Sequence, residues 1–177
     1  ADGTLKVGTI TNSAGSGNIT IGSGVTLQSN VPAFQAYLSS NQSGLTDSAT
    51  VLAQLNTTAL DTDNAFDTST YTFTCPVAGK YFVYAKTSLL SSGTARETKT
   101  FVYKNDSTIL SNVMEFIGSP LIINDGATWS GAQTSGIVDL AVNDTLKLYG
   151  RMNTNSTTWS FVSGITETTL GAYRIGA

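Results

Sequence analysis

Tyr71–Leu90, YTFTCPVAGKYFVYAKTSLL, decides the fold. It reads as an apolar-alternating strand, a turn over Pro76–Gly79, and a second strand that is apolar on both faces. Strand side chains alternate, so Tyr81, Val83 and Ala85 point one way and Phe82 and Tyr84 the other. An antiparallel strand with one wet face should carry a polar residue at every second position. This one does not until Lys86. Both faces therefore expect a cover, one from the domain's own core and one from another surface; in a small all-β domain that surface is expected to be a second copy of the chain.

Working outward, strand-like runs recur at Ala33–Leu38, Thr50–Leu55, Tyr71–Cys75, Lys80–Leu90, Thr98–Lys104, Ile109–Glu115, Ala132–Ala141, Thr145–Arg151 and Thr158–Ile175. Turn-forming clusters separate them at Asn41–Gly44, Asp61–Asn64, Ser91–Gly93, Asn105–Asp106, Asn124–Gly126, Asn143–Asp144 and Asn153–Asn155. No helical period holds for three turns. Many short strands at this spacing predict an all-β sandwich of the jelly-roll kind over residues 31–177. Residues 1–30 differ. Short apolar alternations at Ile10, Ile19, Ile21, Val25 and Leu27 sit between Gly/Ser turns. Strands this short do not hold alone, so the segment is expected to fold on its own copies or to attach the domain to a larger assembly.

Composition narrows the function. Charged residues make up 12% of the chain, about half the roughly 25% usual in globular proteins. Ser, Thr, Asn and Gly take their place. The net charge is −3 with no Lys/Arg cluster, which argues against nucleic acid. No apolar run approaches the roughly 18–20 residues that span a bilayer, so no membrane insertion is expected. No basic start followed by an apolar stretch opens the sequence; assembly in a cytoplasm is the expectation. The single cysteine, Cys75, excludes an intrachain disulfide and is expected to be a small buried apolar residue.

The chain has no histidine, which removes Ser/His/Asp and Cys/His nucleophile systems. No phosphate loop, Ser-x-x-Lys, Gly-x-Ser-x-Gly or zinc-type cysteine pair is present. Asp61, Asp63, Asp67, Asp139, Asp144, Glu115 and Glu167 leave a carboxylate pair arithmetically open, but no spacing singles out two of them. Asp61, Asp63 and Asp67 form a run of hard oxygen ligands that could suit Ca²⁺, though without the Gly and Glu of an EF-hand loop; the alternative is an Asx-bonded turn. No other cofactor is called for. Trp129, Trp159 and Tyr149 are aromatic candidates for stacking on sugars or for core and interface. Trp129 stands out because a turn-rich, loop-like stretch precedes it.

In order along the chain, PAFQAYL (32–38), DNAFD (63–67), YTFTCPVAGKYFVYA (71–85), TKTFVYKND (98–106), GIVDLAVNDTLKL (136–148) and the terminal FVSGI…GAYRIG resemble the globular head of the complement C1q/tumour necrosis factor superfamily. The N-terminal GTITNSAGSGNITIGSGVTLQSN is similar to segments of marine bacteriophage structural proteins. The resemblance implies a ten-stranded jelly roll and a homotrimer, with Phe82, Tyr84 and Phe34 at the trimer interface. It also implies a non-enzymatic virion structural protein. This would be a head or tail appendage (fibre, knob or capsid decoration) on the virion surface, held to other virion proteins through residues 1–30. The role would be adhesion to a host-surface glycan or receptor, or purely architectural. A secreted carbohydrate- or protein-recognition domain of cellular origin is the alternative. Two places depart from the family pattern: Thr166–Leu170 interrupts the final strand, and Ile117–Trp129 is long and polar.

Overall fold

The computed structural model describes residues 31–110, 121–122 and 128–176. All of them belong to one compact unit, Val31–Ala177. Ile10, Ile19, Ile21, Val25 and Leu27 lie outside the described residues, as do Ser111–Glu115 of the strand expected over Ile109–Glu115.

The described chain is all-β: β1 Ala33–Tyr37, β2 Gln42–Thr46, β3 Thr50–Leu52, β4 Thr57–Asp61, β5 Phe66–Asp67, β6 Thr72–Thr74, β7 Gly79–Ser91, β8 Ala95–Lys104, β9 Thr108–Ile109, β10 Leu121–Ile122, β11 Thr128–Leu140, β12 Thr145–Thr154, β13 Thr158–Phe161 and β14 Thr169–Gly176. Every pairing is antiparallel. One sheet runs β10-β11-β7-β14-β1-β4, with β13 joining β7 to β2; the other runs β5-β6-β12-β8-β9, with β3 on β12. The two sheets face each other as a jelly-roll sandwich, the expected fold.

Period-2 alternation fills the space between them. Tyr81, Val83, Ala85 and Leu89 of β7 face Leu146, Leu148 and Met152 of β12, all buried. Phe34 stacks between Phe73 and Phe66, with ring centroids 4.3 and 5.4 Å away. This corrects its expected place at a trimer interface: Phe34, Ala36 and Leu38 share the inner face of β1, and Phe34 is 2% exposed. Cys75 is buried, as expected, and its thiol donates to the Val77 carbonyl. One stretch of the interior is lined by hydroxyls instead of carbon. Thr87 pairs with Thr100 (2.6 Å), Thr98 with Ser130 (2.6 Å) and Ser91 with Thr154 (3.0 Å), each partner buried.

Turn chemistry falls where Asn, Asp and Gly stand. Asn64, Asn105, Asp106 and Asn143 all adopt positive φ, which these short polar residues tolerate. Gly79 ends the Cys-Pro turn at φ 151°, and a Cβ there would overlap the Gly176 carbonyl and the Arg174 guanidinium. Asn41–Gly44, read as a turn, instead enters β2, because Leu45 pairs with Trp159 of β13 and packs on the core. β4 was not anticipated either; it pairs with β1 through a register shift at Gln35/Ala36. The long final run divides into β13 and β14 around a loop over 162–168; the interruption expected over Thr166–Leu170 falls earlier, because Thr169 and Leu170 already pair with Lys86 and Ala85 in β14.

Candidate functional face

The outer face of the β11-β7-β14-β1 sheet gathers the candidate residues. Register sets them in rows across the strands. At one end Lys80 pairs with Asp139 at 2.7 Å, both well exposed, which is worth little in stability. The next row is apolar: Ile137 beside Phe82 beside Tyr173, with Ile175 further along β14. Ile137, Ile175 and Tyr173 are 51, 47 and 45% exposed, while Phe82 is half-buried with its ring 5.5 Å from that of Tyr173.

Above it, Tyr84 lies over Gly171; a Cβ on that glycine would overlap the Tyr84 ring. Burial, aided by Tyr173, pushes the Tyr84 phenol above its ordinary pKa. The fourth row is polar: Gln133, Lys86 and Thr169. Lys86 donates to the Thr166 carbonyl at 2.6 Å and sits 3.8 Å from Glu167, which also accepts the Ser88 hydroxyl at 2.5 Å and the Thr166 hydroxyl at 3.5 Å. Phe82, Tyr84, Lys86, Gln133, Ser135 and Ile165 border an open concavity of about 530 Å³. Farther along come Gly131 beside Ser88, then Trp129 beside Leu90.

Phe82 and Tyr84 thus lie where the sequence put them, on the second face of β7. Trp129 does not. It is 39% exposed but stands inside β11, paired to Leu90 on one side and Leu121 on the other, so a rigid strand carries it and not a loop. Trp159 is a core residue whose indole N–H donates to the Thr46 carbonyl at 2.8 Å. Tyr149 lies on the outer face of the other sheet, its ring 4.6 Å from Tyr103. Ile137, Tyr173, Lys86 and Gln133 complete the face and were missed. Alternation from Phe82 across to the neighbouring strands is the signal that finds them, once strand order is known.

The acidic run does not form a metal centre. No group of three potential ligands comes together among the described residues. Both carboxylate oxygens of Asp61 accept amides, from Ala65 and Phe66, each at 2.9 Å. Asp67 accepts the Ser69 hydroxyl and amide at 2.7 Å and the Thr70 hydroxyl at 2.9 Å, which lowers its carboxyl to a pKa of about 2. Asp63 takes the Thr62 hydroxyl at 2.6 Å. These oxygens hold turns together, so the Ca²⁺ expectation gives way to its alternative. Asp144 follows the same pattern. Burial raises its carboxyl, but bonds from Asn105, Lys104 and the Ala141 amide outweigh that and leave it lowered.

No protein-family model matches the chain. No curated protein matches it either. Solved structures do. Eiger TNF from S. frugiperda superposes with a TM-score of 0.61 at 11% identity, covering 82% of this chain and 93% of that one. Murine APRIL gives 0.55 at 11% identity over 82% of this chain and 100% of its own. The globular domain of zebrafish complement 1qA protein gives 0.49 at 14% identity over 81 and 97%. The first two establish a TNF-type jelly roll. Those two come from animals, and the resemblance to phage structural proteins has no counterpart in either.

Proposed function

We propose that this chain is a non-enzymatic recognition head that works as a homotrimer, displayed on a phage particle as a head or tail appendage. The observation that carries the trimer is the apolar row Ile137, Phe82, Tyr173 and Ile175 on a sheet whose inner face already packs a core. Contiguous exposed apolar surface of this kind marks an interaction site. Ile137, Tyr173 and Ile175 each keep about half of the residue in water, so covering them contributes on the order of 1 kcal/mol apiece. A copy of the same chain brings the same row, and closed symmetry is how most soluble proteins satisfy such a surface.

The non-enzymatic reading is supported by the absence of histidine and by Asp47, Asp61, Asp67 and Asp144 each being tied to backbone amides. Placement on a virion, with residues 1–30 as the attachment to other virion proteins, is supported by the Gly/Ser/Thr-rich alternation of that segment and by the low-charge composition. Weak contacts repeated over three heads and many appendages add through effective concentration, which favours adhesion over decoration alone. A secreted TNF-like recognition domain is the second reading, favoured by the animal origin of the structural neighbours.

Light scattering tests the assembly: three times the 18.5 kDa chain mass is expected, and a monodisperse monomer refutes it. Antibody labelling of purified particles tests the location. Label on particles is expected; label confined to secreted or cell-surface fractions turns the reading to the cellular alternative.

A further inference from the structure

Gly131 stands in the interior of a thirteen-residue strand, where glycine weakens pairing and usually marks a bulge or the close approach of another group. No bulge is present: the register with β7 is unbroken from Thr128 opposite Ser91 to Leu140 opposite Gly79. Its φ is outside the left-handed region, and a Cβ would meet only the Thr87 carbonyl at 3.5 Å and the Ser88 hydroxyl at 3.8 Å, ordinary contacts. Gly171 and Gly150 differ, since Tyr84 and Phe161 occupy the space their side chains would need. Nothing among the described residues therefore requires a glycine at position 131.

What Gly131 does leave is room. A concavity of about 210 Å³ lies on the outer face, lined by Lys86, Gly131, Ala132 and Gln133. Trp129 is two residues away on the same face of β11, roughly 7 Å along the strand. The site is smaller than the roughly 300–1,000 Å³ that takes a drug-sized ligand, and it fits one ring. Gln133 makes no side-chain hydrogen bond among the described residues and offers both donor and acceptor. Lys86 spends one proton on the Thr166 carbonyl and keeps others, and Glu167 nearby offsets its charge.

We infer that Trp129, Gly131, Gln133 and Lys86 form a subsite for a single neutral pyranose of a glycan. The apolar face of the ring stacks on the indole, its edge passes over Gly131, and its hydroxyls bond Gln133 and Lys86. This deepens the adhesion reading above and rests on it.

The test is ligand-observed saturation-transfer NMR on the full chain. The probes are methyl β-galactopyranoside, methyl β-glucopyranoside and methyl α-mannopyranoside, with light scattering on the same samples. At least one glycoside should bind with a millimolar Kd, typical of a single ring, and receive saturation mainly on one face. Trp129→Ala should weaken it about tenfold. Gly131→Thr, whose side chain suits a strand, should obstruct the concavity and abolish binding at unchanged mass and melting temperature. No transfer to any of the three from a correctly assembled protein overturns the subsite and leaves the assembly reading standing. A Gly131→Thr protein of altered mass also overturns it, because the approaching group is then another copy of the chain. Binding by a monomeric wild type supports the subsite while refuting the trimer.

Discussion

Replacing Ile137 with Glu separates a face that is wet from one that a copy covers. In a lone protomer the side chain at position 137 is half in water beside Phe82, so a glutamate there costs no more than the strand-propensity difference, up to about 1 kcal/mol. In the proposed trimer the same carboxylate is buried without a partner, at about 3–5 kcal/mol per protomer. Summed over three protomers, that is roughly 10 kcal/mol, or about seven decades in the association constant at 1.4 kcal/mol per decade. Ile137→Ala is the graded control, losing about 1 kcal/mol per protomer and about two decades. Size-exclusion chromatography with light scattering should show the Glu variant as a folded monomer at every workable concentration. The Ala variant should dissociate on dilution, with a melting temperature that rises with protein concentration. A Glu variant that keeps the trimer mass means the row is outside the interface. One that fails to fold at any concentration means the row supports its own protomer.

Phe34→Ala should instead destabilise the protomer itself by about 3–5 kcal/mol, because its ring is sandwiched by Phe73 and Phe66; denaturation of an Ile137→Glu monomer background measures this without the assembly, and a loss under 1 kcal/mol would return Phe34 to the surface. The interior hydroxyls make a directional prediction. Thr100 bonds the Ala132 carbonyl at 3.0 Å, which uses its proton, so Thr87 must donate to Thr100. Thr100→Val then strands a buried donor and should cost about 1–3 kcal/mol, Thr87→Val less, and the double variant less than the sum; additive costs in urea denaturation would refute the pair. Asp67 has a folded pKa of about 2 against 3.8 unfolded. Its contribution is therefore complete above pH 3.8 and lost as pH falls towards 2. Asp67→Asn should make the acid loss of stability shallower in that window, leaving the part due to Asp47 and Asp144, and an NMR titration midpoint near 3.8 would remove the effect.

How far the sequence could be read depended on whether a residue's fate was decided locally. β7 and β11 were legible because strand-forming residues run on without a turn cluster to interrupt them, and the Asn and Asp turns because those side chains carry their own backbone preference. β2 and β4 were not: QSGLT and TTALD each hold a single leucine, and only pairing with β13 and β1 makes them strands. The assignment of Phe34 to an interface overlooked a signal that was present. Gln35 and Tyr37 share one face of β1, so Phe34, Ala36 and Leu38 had to take the other. Of the site, Phe82 and Tyr84 could be placed from alternation, whereas Lys86, Gln133 and Tyr173 join them only through inter-strand register.

That register has a further consequence. Ile137 and Trp129 lie on one face of one strand, eight residues apart, which is roughly 26 Å at 3.3 Å per residue. β7 and β11 are thirteen residues each, paired throughout, against a usual five or six. Unbroken pairing over that length holds the two ends rigidly with respect to one another. Between them the face changes from Ile137 and Phe82 to Lys86 and Gln133, so chemistry as well as distance divides it. A copy that docks on the apolar end gains nothing from covering Lys86, whose ammonium and neighbouring Glu167 would lose water. The polar row therefore limits how far assembly spreads along the sheet, and leaves the Trp129 end free to meet something that is not protein.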